Sequence, residues 1–136
     1  MRFLVDANVL SEPTRPEPSP VVLGWLRENE RDLAIDPIIL GELRFGIHLL
    51  PAGRRRRELE RWFDLGVAGL RCLAWDRETG LRWAALLAKL RSSGQAMPVK
   101  DSLIAATALR YELVVATRNV KDFRRAGARV LDPFAA

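Results

Sequence analysis

A strand that is apolar at every position has to be covered on both faces, and this chain opens with one. Phe3, Leu4 and Val5 run without polar alternation up to a carboxylate, Asp6. Such strands belong to parallel sheets with helices on either side. The theme returns at residues 32–35, 70–75, 113–117 and 129–131, each a short apolar run closed by polar residues. In open sheets of this kind, chemistry collects where strands end at their carboxyl edge. Asp6 therefore has two readings at the outset, a site residue at that edge or an N-cap for the next helix.

Between these runs, apolar residues recur at helical spacing. Pro13, Pro16 and Pro18 mark a loop, and Ser19-Pro20 then starts a helix, with serine as N-cap and proline at the first position. Val21, Val22, Trp25 and Leu26 form its apolar face. Asp36-Pro37 closes the second strand, and Ile38, Ile39, Leu40, Leu43, Ile47 and Leu50 carry the next helix. Arg54, Arg55, Arg56 and Arg57 then lead into Leu59, Trp62, Phe63 and Leu65. Four arginines there oppose the helix dipole, although a solvated face is the common use of such a run. Asp76 caps a long helix through Leu90. Pro98-Val99-Lys100-Asp101 begins another, alanine-rich and suited to close packing on a sheet. Residues 119–125 read as a loop with a helical turn. The alternation predicts a three-layer α/β/α domain around a central parallel sheet. With no repeat or linker, residues 1–136 make a single domain.

The 49% hydrophobic and 29% charged fractions exclude a disordered chain. A net charge of +5 points to a polyanionic partner. Nearly all of the positive charge is arginine, a bias that a GC-rich genome also produces; Lys89, Lys100 and Lys121 are the only lysines. Cys72 is alone and lies in an expected strand, so it reads as a buried, inert thiol. The start of the chain does not resemble a signal peptide, and no apolar run approaches the roughly 18 residues of a membrane span. The expectation is a cytoplasmic protein without membrane contact. His48, the only histidine, sits within a helix of apolar period and reads as a packing or surface residue. Zinc held by histidine and cysteine, a Walker-type phosphate loop and a glycine-rich dinucleotide fingerprint are all excluded. Trp25, Phe45, Trp62 and Phe63 are assigned to core packing, with partner contact as the alternative.

What remains is a set of acids. Asp6 ends the first strand, Glu42 lies in the helix after the second, Asp101 in the first turn of the alanine-rich helix, and Asp122 just past the strand at 113–117. Singly, each has a structural use: Asp101 as a helix N-terminal anion, Glu42 as a solvated helix residue, Asp122 as a cap. Together, following the carboxyl ends of strands of one parallel sheet or lying in helices that begin there, they can converge on one edge. Two carboxylates ~4 Å apart at an effective dielectric near 20 repel by roughly 4 kcal/mol, so such a set calls for a cation. All-oxygen ligation selects Mg²⁺, with Mn²⁺ as a substitute, and suits phosphodiester hydrolysis.

These residues carry a resemblance. The run Leu4-Val5-Asp6-Ala7-Asn8-Val9-Leu10-Ser11-Glu12 resembles the opening motif of PIN-domain ribonucleases, in particular the VapC-type toxins of type II toxin–antitoxin pairs. Glu42 in Gly41-Glu42-Leu43-Arg44-Phe45-Gly46 is similar to the second acidic motif, and Asp101 in Asp101-Ser102-Leu103-Ile104-Ala105-Ala106 to the third. Thr117-Arg118-Asn119-Val120-Lys121-Asp122-Phe123 resembles the fourth, and Leu131-Asp132-Pro133-Phe134 the C-terminal ending. The resemblance implies a Mg²⁺-dependent endoribonuclease that hydrolyses RNA with metal-activated water, a cognate antitoxin as partner, and a homodimer. It implies Asp6 and Asp101 as principal metal ligands and Glu42 as a further one, direct or through water. It implies Asp122 as the fourth acid of the catalytic metal set, binding directly, through water or only by completing the negative pocket. Asn119 stands where many relatives carry aspartate. Asn8, Ser11, Thr117 and Asn119 would orient ligands or water, and Arg15 and Arg118 would hold flanking phosphates. The alternatives are a PIN-like protein that binds RNA or a partner without cutting, another Mg²⁺-dependent phosphoesterase, and an arginine-rich interaction module.

Overall fold

Each apolar run becomes a short strand, and the strands pair only in parallel. The computed structural model describes residues 1–135. Its sheet contains β1 (Phe3–Val5), β2 (Leu33–Ile35), β3 (Arg71–Cys72), β4 (Val114–Ala116) and β5 (Val130–Leu131) in the spatial order β3-β2-β1-β4-β5. β1 is central: Phe3 and Leu4 lie opposite Leu33 and Ala34 on one side and opposite Val114 and Val115 on the other. All three residues of β1 are buried, as an unalternating strand requires.

From β1 the chain moves outward through β2 to β3, then crosses back to β4 and outward again to β5. Right-handed crossovers in the two directions place helices on opposite faces of the sheet, which gives three layers. The first direction uses α1 (Ala7–Leu10), α2 (Pro20–Glu28), α3 (Pro37–His48) and α4 (Arg54–Leu65); the second uses α5 (Arg77–Ser92), α6 (Val99–Tyr111) and α7 (Val120–Arg125). The caps are those the sequence offers. Ser19 accepts from the Val22 amide, Asp36 from Ile39 and Asp76 from Thr79. In α6 the residues from Ile104 to Ala108 are all buried, so its alanines do allow close packing. Phe123 of α7 and Ile104 are among the largest fully enclosed side chains of the core. No helix among the described residues is long and apolar enough to cross a membrane.

Three expectations change. The third strand is not residues 70–75 but only Arg71–Cys72. Leu73 still bonds its amide to the Ile35 carbonyl, but Trp75 turns away to donate its indole N–H to the Leu103 carbonyl. Because β3 is a two-residue edge strand, Cys72 is exposed rather than buried. Phe45 is 62% exposed: Ile39, Leu43 and Ile47, four residues apart, form the buried face of α3, and Phe45 lies on the opposite side. Trp25 and Phe63 are buried as expected, and Trp62 packs partly buried against the core. The arginine run is a solvated face offset by ion pairs, Arg54 with Glu58 at 3.1 Å and Arg56 with Glu60 at 3.8 Å.

Candidate active site

The strand order reverses at β1, between its connection to β2 and its pairing with β4. That switch point opens a crevice at the carboxyl ends of β1 and β4. Asp6 follows β1 and Thr117 follows β4, so both stand at the crevice mouth. Asp6 stands at that edge of the sheet and also caps the next helix. One oxygen, Oδ1, caps α1 by accepting from the Ala7 amide at 2.8 Å, while Oδ2 accepts from the Thr117 hydroxyl at 2.8 Å. The Asn119 amide donates to Thr117 Oγ1 at 3.0 Å and the Arg118 amide to Asn8 Oδ1 at 3.1 Å. The Asn8 side-chain amide makes longer contacts, 3.4 Å, to Asp6 Oδ2 and Thr117 Oγ1. Asn8, Thr117 and Asn119 thus tie the carboxyl ends of β1 and β4 together. Ser11 lines a neighbouring groove, and no bond from its hydroxyl to the acids is formed among the described residues.

Burial dominates the electrostatics of Asp6. With 5% of its surface exposed, its carboxyl is pushed up to about 6; the bonds from Thr117 and Ala7 pull the other way, and the charges of Glu42 and Asp101 add to the rise. Asp101, in the first turn of α6, is also raised, first by burial and then by Asp122 and Glu42, against the pull of Lys100 and Asn119. The four predicted acids therefore share one field. Asn119 ties two of them: its side-chain amide donates to Asp101 Oδ2 at 3.1 Å and to Asp122 Oδ2 at 3.0 Å. Asp122 is not the N-cap of α7, a place held by Asn119; it lies within the first turn, 3.8 Å from Arg125.

Glu42 reaches the crevice from α3. Its Oε2 accepts from Lys100 Nζ at 2.9 Å, and its Oε1 is buried without a partner. Among the described residues, no three acidic, histidine or cysteine side chains form a closed set arranged to hold a metal ion. The donor chemistry nevertheless fits a hard divalent ion. Every available ligand is a carboxylate oxygen, two of the carboxyls are driven toward protonation by burial and mutual repulsion, and one buried oxygen lacks a partner.

Of the two arginines expected at the site, Arg118 is there. Its backbone bonds Asn8, and its exposed guanidinium stacks 4.1 Å from the Phe134 ring. Arg15 instead lies 3.8 Å from the buried carboxylate of Glu12. A groove of about 320 Å³ runs from Asn8 and Glu42 between α1, α3 and α4, walled by Leu43, Ile47, Leu59 and Trp62. Sequence reasoning missed Lys100, although a lysine beside a candidate ligand in an arginine-dominated chain was the available signal. It also missed Asp36, which is buried behind Glu42 with its carboxyl raised by burial.

The chain matches the family described as PIN domain over residues 3–129. It is 40% identical to the plasmid stability protein StbB of Pseudomonas syringae pv. tomato, with 98% of this chain and 99% of that protein covered. It is 35% identical to the VapC ribonuclease Y4jK of Sinorhizobium fredii, with 97% of each covered. Among solved structures, the FitAcB complex from Neisseria gonorrhoeae contains a chain that superposes with a TM-score of 0.91 at 32% identity, covering 98% of this chain and 99% of that one.

Proposed function

This chain belongs to the PIN-domain family, among the relatives of VapC-type toxins, and from that membership we propose that it is a divalent-metal-dependent endoribonuclease acting as the toxin of a toxin–antitoxin pair. The observation that carries the reading is the crevice beyond β1 and β4. There the carboxyl of Asp6 is pushed up to about 6, first by its burial and further by the charges of Glu42 and Asp101. Asp6 and Asp101 would hold Mg²⁺ or Mn²⁺, with Glu42 as a further ligand. A bound divalent ion supplies Lewis-acid activation of water and neutralises charge at the phosphate. The chain's own residues do the rest. Thr117 and the Ala7 amide fix the Asp6 carboxylate, Asn119 orients Asp101, and a carboxylate of the set accepts the proton that leaves the attacking water. Arg118, exposed at the rim, binds a flanking phosphate in a salt-dependent manner.

The net charge of +5 and the similarity to a VapC ribonuclease support a polynucleotide over a small phosphate ester. An antitoxin partner is supported by structural neighbours that are themselves toxin–antitoxin complexes, including FitAB bound to a DNA fragment at 31% identity. A homodimer, expected from the resemblance, completes the proposal. The test is cleavage of total cellular RNA by the purified protein with Mg²⁺ or Mn²⁺, beside a small aryl phosphate. Discrete RNA products that chelator abolishes, with the aryl phosphate untouched, are the expected result. Faster turnover of the aryl phosphate, or RNA binding without cleavage at millimolar metal, overturns it.

A further inference from the structure

Lys100 has no part in the ligand set, yet it makes the shortest ion pair of the site. Its Nζ lies 2.9 Å from Glu42 Oε2 and joins the first turn of α6 to the middle of α3. A cation in a first turn opposes the helix dipole, so its position is sustained by the acids it faces. The same ammonium feels Asp101 and Asp6 as well as Glu42. The Lys100 side chain is 52% exposed and can leave without unpacking the core. Only one of the Glu42 oxygens is satisfied; the other is buried and bare.

We propose that Lys100 is a built-in counter-cation of this site, which holds Glu42 while no divalent ion is bound and releases that carboxylate when one arrives. The inference rests on the metal-dependent reading above and adds a regulator of metal loading to it. A half-exposed single ion pair is a weak tie that a doubly charged ion outcompetes. The choice of lysine in a chain with only three supports the role. A compact ammonium on a flexible stem can swing away, whereas the planar fork of arginine would grip both carboxylate oxygens. Once released, the ammonium stands beside the acids, positioned to meet a phosphate oxygen of the substrate.

The experiment is titration of Mn²⁺ into the full chain by calorimetry, at low ionic strength, for the wild type, Lys100→Met, Lys100→Arg, Glu42→Gln and the Lys100→Met/Glu42→Gln double variant. Lys100→Met is expected to bind Mn²⁺ at least about fivefold more tightly, and Lys100→Arg more weakly than the wild type. In the Glu42→Gln background, Lys100→Met is expected to change affinity less than about twofold, because the carboxylate it guarded is gone. Circular dichroism melts verify folding, and Lys100→Gln replaces the methionine variant should that one not fold. Unchanged or weaker Mn²⁺ binding on removal of the ammonium overturns the proposal, as does an equal gain with and without Glu42. Those failures leave the nuclease reading intact; absence of Mn²⁺ binding to the wild type at millimolar concentration sinks both.

Discussion

The carboxyl ends of β1 and β2 carry the same construction put to different uses. Each strand is followed by a buried aspartate that caps the next helix with Oδ1 and receives a threonine hydroxyl on Oδ2. The contacts are nearly identical: 2.8 and 2.8 Å at Asp6, with Ala7 and Thr117, against 2.8 and 2.7 Å at Asp36, with Ile39 and Thr107. Burial raises both carboxyls. The difference lies in what surrounds them. Asp36 is fully enclosed and caps a 12-residue helix, between β2 and its short edge neighbour. Asp6 caps a four-residue helix and faces a crevice shared with Asp101 and Glu42. A buried, capping aspartate is thus no sign of function by itself. Its place relative to the point where the strand order reverses decides which role it takes.

The comparison is broken most directly by paired substitutions. Asp6→Asn should lower RNA cleavage at least about 10³-fold, some 4 kcal/mol of barrier. At neutral pH the variant should fold as well as the wild type or better, because a neutral side chain replaces a desolvated charge. Asp36→Ala should do the reverse. Losing the cap costs about 1–2 kcal/mol and the stranded Thr107 hydroxyl about 1–3, so about 2–5 kcal/mol should vanish from urea unfolding. Cleavage by the fraction that stays folded should be near normal. Equal activity losses in both variants would erase the distinction between the two aspartates.

The sequence carried the fold because its unalternating runs admit few arrangements, and it pointed to the candidate acids because Asp6 ends a strand while Glu42, Asp101 and Asp122 lie in helices near the same edge. Lengths were less legible. Leu70 and Trp75 look like strand residues, but their pairing depends on an edge where the register with β2 covers Arg71 and Cys72 and ends at the Leu73 amide. Exposure at that edge, for Cys72, and on the outer side of α3, for Phe45, depends on which neighbours arrive, and local pattern is silent on that. The pairing of Lys100 was not legible for a related reason. Its partner Glu42 is 58 residues away, and the contact exists only because α3 and α6 meet at the crevice.

Acidity separates the two carboxyls by a gentler route. Asp6 is raised to about 6 from 3.8, so the fold favours its protonated form. Its contribution to the metal-free protein is therefore fully present below about pH 4 and is lost as pH rises through about 6. A divalent ion needs the ionised form, so Mn²⁺ affinity measured by calorimetry should fall up to about tenfold per pH unit from pH 6 toward 4, and level off above 6.5. Asp6→Asn should flatten the stability slope, while Asp36→Asn should leave the metal-binding profile in place. A Mn²⁺ affinity that stays flat from pH 7 to pH 5 would contradict the burial argument for Asp6.

The smallest effect is expected at the far side of the crevice, where Asn119 stands between Asp101 and Asp122. Its side-chain amide donates to both, so Asp122 acts on Asp101 through that amide. Asn119→Ala should lower kcat/KM about three- to tenfold, roughly 1 kcal/mol, with little change in the melt. If Asp122 works by orienting Asn119, Asp122→Asn should cost about the same, and the double variant no more than either alone, since members of one hydrogen-bonded chain are not additive. If Asp122 contacts the ion itself, its loss should exceed that of Asn119 by tenfold or more, and the two losses should add. The bridge argues for the first outcome: an aspartate held by Asn119 on one oxygen and facing Arg125 with the other has little left to offer a metal. On the proposed arrangement the acids would divide into two that meet the ion directly, Asp6 and Asp101, one that Lys100 would release, Glu42, and one that would act through an amide.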